Sequence, residues 1–244
     1  VSAVLVIAGA DSSGGAGISR DVHTLTRLDV RALCAVTAVT AQSDTRLSAV
    51  HVVPAALVRA QIEAAFATCD IGAIKIGMLA NAVTVRAVAD SVGARAGLPL
   101  VLDPVLRASS GGDLLDAAGL LVLCELLLPR VTLVTPNIAE AALLSGESLA
   151  RTQQDLERQG QRLLTLGARA VLLKGGHGAG ADATDVLLQP QCAPQRFSTP
   201  RYAVTRRGTG CALASAIAAA LAAGADVAQA CARGKEYMDQ WLRP

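Results

Sequence analysis

Arg206-Arg207-Gly208-Thr209-Gly210-Cys211 runs directly into Ala212-Leu213-Ala214-Ser215-Ala216-Ile217-Ala218-Ala219-Ala220-Leu221, and this stretch decides how the rest of the chain is read. Two glycines bracket a hydroxyl residue, a thiol follows, and a long alanine-rich helix begins. The first amides of a helix have no internal partners and sit at the positive end of its dipole. Glycines let an anion approach those amides closely. The stretch therefore reads as a tight strand-to-helix turn that cradles phosphate or developing oxyanion charge, with Cys211 at the rim.

Working outward, short β-rich apolar runs alternate with longer helical patterns. Strands are expected at 4–8, 30–36, 71–76, 98–102, 131–134 and 170–173. Helices are expected at 18–28, from Pro54 to about Cys69, and at 82–96, 114–127, 138–144 and 153–166. This alternation predicts a mainly parallel sheet covered by helices on both faces. Around Thr184–Leu188 and Arg196–Thr199 the runs become short and polar-flanked, which predicts a small antiparallel hairpin at one edge. No linker or repeat divides residues 1–244, so one domain is expected. A final helix following Asp226 and reaching Trp241 reads as structural or oligomeric.

The glycine–alanine stretch also raises a membrane question, because Gly208 to Ala225 holds 18 uncharged residues, about the shortest span. Alanine and three glycines make it far weaker for insertion than leucine or isoleucine would be, so a buried helix is the better reading. Apolar residues make up 52% of the chain and aromatics only 2%, which gives a core of Ala, Leu and Val. A net charge of +2 with scattered basic residues excludes a nucleic-acid footprint. Six widely spaced cysteines without a C-x-x-C pair point away from a disulfide scaffold. With no basic-then-apolar leader after Val1, a reducing cytoplasm is the expected setting.

In open α/β sheets ligands bind beyond the carboxyl ends of the strands. The polar clusters fall at those ends: Asp11 to Gly17, Gln42 to Asp44, Lys75 to Met78, Asp103-Pro104, Pro136-Asn137, and Lys174 to His177. No Walker A loop is present, and Gly9, Gly14, Gly15 and Gly17 do not fit a dinucleotide fingerprint. The glycine turn before Cys211 is the stronger phosphate site.

Taken in order, Ile7-Ala8-Gly9-Ala10-Asp11-Ser12-Ser13-Gly14-Gly15-Ala16-Gly17-Ile18, Ala41-Gln42, Lys75-Ile76-Gly77-Met78-Leu79 and Leu102-Asp103-Pro104-Val105 resemble the bacterial hydroxymethylpyrimidine (phosphate) kinases of thiamine biosynthesis. Thr135-Pro136-Asn137 with Glu140-Ala141, Leu173-Lys174-Gly175-Gly176-His177 and Gly208-Thr209-Gly210-Cys211 extend the resemblance to about residue 223. It implies a three-layer α/β/α ribokinase-like fold, ATP with Mg2+, a small pyrimidine substrate and a homodimer. Neither a nucleic acid nor a membrane partner is expected. Pyridoxine/pyridoxal kinase is the alternative within the same class, and a non-catalytic pyrimidine-binding protein the alternative outside it.

The resemblance places Cys211 where related sugar kinases carry Asp, as the base for a primary hydroxyl; a helix N-terminus is expected to lower its pKa. The plainer reading is a small residue chosen for close packing. The amides of Gly208, Thr209, Gly210 and Cys211 would face the transferred phosphoryl group. The resemblance implies nucleotide contact for Lys174, Asn137 and Thr209, whereas Lys174 read alone snorkels to the surface. Glu140, with Asp103 nearby, would hold Mg2+ through water; the plainer reading makes Asn137 and Glu140 a capping pair. For the acceptor, the Gln42 amide presents a donor and an acceptor together, matching the adjacent ring nitrogen and amino group of an aminopyrimidine. Asp21 would accept from the same ligand, or simply complement its helix dipole. Met78 and Val105 would wall the ring, and Gly9 and Ala16 leave room for it.

Several positions depart from the family pattern. Arg207, after Arg206, stands where histidine is usual and is expected to add fixed positive charge beside the anion site. Ser109 takes the place of a lysine, and Ser12 and Leu106 replace other usual residues.

Overall fold

The computed structural model describes residues 2–95, 97–108, 111–175, 180–203 and 206–244. In chain order, β1 (Ala3–Asp11) leads to α1 (Gly17–Arg27), β2 (Ala32–Gln42), β3 (Leu47–Val52), α2 (Ala55–Thr68), β4 (Ile71–Ile76), α3 (Ala82–Gly93) and β5 (Leu100–Leu102). Then come α4 (Ala117–Val122), β6 (Leu133–Val134), α5 (Ile138–Ser145), α6 (Gln153–Thr165), β7 (Val171–Leu173), β8 (Asp182–Leu188), β9 (Gln195–Pro200), α7 (Thr209–Ala222) and α8 (Val227–Leu242). The strands form one sheet in the order β3-β2-β1-β4-β5-β6-β7-β8-β9. Pairing from β2 through β7 is parallel, and both flanks are antiparallel.

Strand β1 shows why the sheet is buried on both faces. Side chains alternate across a strand. Leu5 and Ile7 therefore join a core with Val58, Ile62, Val85 and Val88 of α2 and α3. Val4, Val6 and Ala8 join another core with Leu25 of α1 and with Leu213, Ile217 and Trp241 of α7 and α8. These two cores separate three layers, as the sequence predicts.

Helix α7 is apolar all round, and it is buried rather than membrane-spanning: 11 of its 14 residues are shielded from solvent. Its alanines permit close approach. A Cβ on Gly234 of α8 would come within 2.6 Å of Ile217 Cγ1. No helix among the described residues is long and apolar enough to cross a membrane.

The structure departs from the sequence reading on one flank. The hairpin β8–β9 lies at its expected edge, but β2 runs on past Val36 to Gln42 and a further antiparallel strand, β3, pairs with it. Most of β3 is exposed, so it carries no hydrophobic alternation for a pattern search to find. This extension places Gln42 at a strand end facing the site. The helix expected at 114–127 starts at Ala117, where the Asp116 side chain accepts from the Gly119 amide. It then continues through a π turn, Leu123–Leu127.

Candidate active site

The carboxyl ends of the parallel strands and the N-terminus of α7 converge on one cavity of about 700 Å³. Gly208 caps α7 with φ of 74° and offers no side-chain cap. A Cβ there would collide with the Gly15 carbonyl oxygen, so glycine is required by both backbone and space. The first main-chain bond at this end of α7 runs from the Ala212 amide to Gly208 O at 2.9 Å. The amides of Thr209, Gly210 and Cys211 therefore precede the helix's own hydrogen-bond ladder, and all three residues line the cavity.

Two lysines flank this mouth, Lys75 buried and Lys174 half-buried. Lys75, in the middle of an apolar strand, is fully buried, and its Nζ donates to Asp21 Oδ2 at 2.8 Å. Ser215, one turn along α7 from Cys211, donates to Asp21 Oδ1 at 2.8 Å. Burial works against the Lys75 ammonium, but Asp21, Cys211 and Asp103 together outweigh it and hold the lysine charged above its ordinary range. Lys174 donates to Asp103 Oδ1 at 2.8 Å and lies 3.6 Å from Glu140 Oε2. Burial penalises the Asp103 carboxylate too, yet Lys174 and then Lys75 hold it below the usual carboxylate range. Burial lifts Glu140 above its usual range, with Lys174 pulling the other way. A Cβ on Gly210 would lie 3.1 Å from Lys174 Nζ and 3.5 Å from both Asp103 oxygens, so the α7 mouth sits directly against this ion cluster.

Of the residues singled out from sequence, Gly9, Ala16, Gln42, Met78, Val105, Asp103, Asn137, Glu140, Lys174, Gly208, Thr209, Gly210 and Cys211 all line the cavity. Asp21 does not. Its carboxylate is fully buried under the floor, where both oxygens are committed to Lys75 and Ser215, so it supports the site from behind. Asn137 and Glu140 form a reciprocal capping box on α5, at 2.9 and 2.7 Å, while Glu140 also faces Lys174. Positions Ser109, Gly176 and His177 lie outside the described residues.

Three expectations are corrected. Lys174 does not snorkel to solvent, because two carboxylates hold it in the site. The Cys211 thiol is not lowered by its helix end: burial pushes it up to about 12, with Lys75 as the main opposing influence. Arg207 adds no free positive charge, since Asp11 at 3.0 Å and Asp44 at 3.2 Å match it. The sequence reading assigned no role to Lys75, although a lysine between Ile74 and Ile76 in a buried strand signals one. It also passed over Asp185 and Lys235, a buried pair at 2.8 Å that lines the cavity and whose Asp185 accepts from the Gly175 amide. Those partners lie 50 residues apart and give no local pattern.

Such a sheet, with helix-mouth amides, paired lysines and carboxylates at its carboxyl edge, defines a small-molecule kinase of the ribokinase-like class. The family profile described as phosphomethylpyrimidine kinase matches residues 11–243. A Rhizobium meliloti hydroxymethylpyrimidine/phosphomethylpyrimidine kinase is 41% identical over 234 residues, covering 96% of this chain and 88% of that protein. The crystal structure of a Clostridium difficile phosphomethylpyrimidine kinase superposes with a TM-score of 0.86 at 32% identity, covering 100% of both chains. The Staphylococcus aureus pyridoxal kinase in complex with AMP-PCP and pyridoxal superposes with a TM-score of 0.89 at 28% identity, covering 100% of this chain and 88% of that one. The chain belongs to the phosphomethylpyrimidine kinase family.

Proposed function

We propose that this chain transfers the γ-phosphoryl group of ATP to the hydroxymethyl group of 4-amino-5-hydroxymethyl-2-methylpyrimidine, and then a second one to the resulting monophosphate. The observation that carries this reading is a single cavity lined by the α7 amides, the Lys174–Asp103–Glu140 cluster and Gln42. The Gln42 amide pairs with the ring nitrogen and amino group, between Met78 and Val105. Thr209, Gly210 and Cys211 donate main-chain N–H bonds to the migrating phosphoryl oxygens, and Lys174 and Asn137 face the nucleotide phosphates. The transition state is loose and holds most of its charge on those oxygens, so positioning and electrostatic stabilisation dominate.

In the first transfer the alcohol oxygen attacks phosphorus, its proton passes to the Cys211 sulfur, and ADP leaves. The sulfur accepts it as a thiolate, formed when Cys211 gives its own proton to a solvent water before the acceptor fills the cavity, and Lys75 is the cation whose charge favours that thiolate. The second acceptor is already an anion and needs no such base. Bound Mg2+ would supply charge neutralisation at the nucleotide phosphates. Asp103 and Glu140 are hard oxygen donors suited to hold it through retained waters.

A homodimer in a reducing cytoplasm, with residues 1–244 as one catalytic domain, completes the reading. The exposed edge strand β3, with Val50 paired to Thr40 of β2, offers surface for a second copy. A pyridoxal kinase is the second reading, favoured by the superposition on the pyridoxal-bound relative. To separate the two, the protein is incubated with Mg2+-ATP and, separately, the hydroxymethylpyrimidine, its monophosphate and pyridoxal, with products followed by mass spectrometry. Products from both pyrimidines support the reading; phosphorylation of pyridoxal alone, or of nothing despite tight pyrimidine binding, overturns it.

A further inference from the structure

Arg207 immediately precedes Gly208, and its guanidinium lines the cavity. Nη2 donates to Asp11 Oδ2 at 3.0 Å, and Nη1 donates to Ser13 Oγ at 2.7 Å and to Asp44 Oδ1 at 3.2 Å. These contacts differ in strength. The Asp11 side chain is 5% exposed and that of Asp44 is 83% exposed, so the first bond is shielded and the last is screened by water and salt. Asp11 is itself a hub that accepts from the Ser13 amide at 2.9 Å, the Ala16 amide at 3.0 Å and the Ser13 hydroxyl at 2.9 Å. Next to it, the Ser12 hydroxyl donates to Gln42 O at 3.0 Å and accepts from the Gln42 amide at 2.9 Å. A continuous run of bonded residues thus joins Gln42, which lines one part of the cavity, to the residue that sets the α7 mouth in another.

We propose that Arg207 is a positioning residue for phosphoryl transfer: a clasp that fixes the Gly208–Cys211 amides relative to the acceptor pocket at Gln42. The inference rests on reading the cavity as a phosphoryl-transfer site. Two considerations favour a clasp over an anion receptor. One guanidinium faces two carboxylates, which leaves no unmatched positive charge for a ligand phosphate. Gly208 also caps α7 without any side-chain bond, so no N-cap side chain fixes the mouth. Positioning matters here because a displacement of about 1 Å can cost about a hundredfold in rate.

Removing Arg207 should spare the fold of the acceptor loop, since Asp11 keeps three donors from Ser13 and Ala16. The test compares the wild type with Arg207→Met and Arg207→Lys. Steady-state kinetics with the hydroxymethylpyrimidine and its monophosphate form one arm, and amide hydrogen exchange at Ala212, whose N–H is bonded to Gly208 O, forms the other. Arg207→Met is expected to lower kcat about a hundredfold while KM for either pyrimidine stays within about twofold, and to speed Ala212 exchange by about tenfold or more. Arg207→Lys, which keeps a cation facing Asp11, is expected to recover part of kcat. Unchanged exchange, unchanged kcat, or a rise confined to KM for the monophosphate would overturn the clasp. The exchange arm needs no turnover, so it still decides the clasp should the wild type phosphorylate neither pyrimidine.

Discussion

Replacing Lys75 by Met removes the cation from a pair in which both side chains are fully buried. The Asp21 carboxylate keeps Ser215 as a donor but loses the charge that balances it. Breaking a buried pair by deleting one partner costs about 3–5 kcal/mol. In a domain of this size each kcal/mol is worth about 2–4 °C, so the melting temperature should fall by roughly 6–20 °C. The double variant Lys75→Met/Asp21→Asn removes the stranded charge, keeps an acceptor for Ser215, and should regain most of the loss. The loss should also depend on pH. Burial already raises the folded-state pKa of Asp21 above the unfolded value of about 3.9 against the pull of Lys75, and removing Lys75 takes that pull away. A raised acid contributes a penalty that is absent below the unfolded pKa, grows as pH climbs from there to the folded pKa, and is constant above it. The gap between Lys75→Met and wild type should therefore be smaller at pH 5 than at pH 8. Urea denaturation of the three proteins at both pH values is the assay. A single variant within about 1 kcal/mol of wild type, or a double variant no more stable than the single, would refute the reasoning.

Cys211→Ala should reduce transfer to the hydroxymethylpyrimidine by about 10²–10⁴-fold and transfer to its monophosphate far less, checked by separate rate measurements on each acceptor; equal losses would argue against a base. Lys174→Met strips the Asp103–Glu140 cluster of its cation, and AMP-PCP affinity by calorimetry should fall about tenfold to a hundredfold, the worth of a charged hydrogen bond. Gly208→Ala forces a side chain into left-handed backbone costing about 1–2 kcal/mol and drives its Cβ against the Gly15 carbonyl, so kcat should collapse while circular dichroism stays native.

Much of this architecture is legible in sequence because it is written locally. The alternation of buried strands with amphipathic or apolar helices gives the three layers, and the Gly208–Cys211 turn marks the helix mouth that lines the cavity. What escaped is non-local. Strand β3 borrows its order from β2 and exposes most of its own residues, so no period marks it. Protonation of Cys211 depends on how deeply it is buried, which a helix-end argument alone gets backwards. Arg207 reads as surplus charge until Asp11, 196 positions away, is seen beside it. Asp21 reads as a ligand contact until Lys75, 54 positions away, claims it.

The most direct measurement is a crystal structure of the protein bound to Mg2+, AMP-PCP and the hydroxymethylpyrimidine together. The account predicts γ-phosphate oxygens on the amides of Thr209, Gly210 and Cys211, the pyrimidine on Gln42, and the hydroxymethyl oxygen about 3–3.5 Å from phosphorus with the Cys211 sulfur beside it. Ligands held in separate parts of the cavity, or a thiol turned away from both, would contradict it.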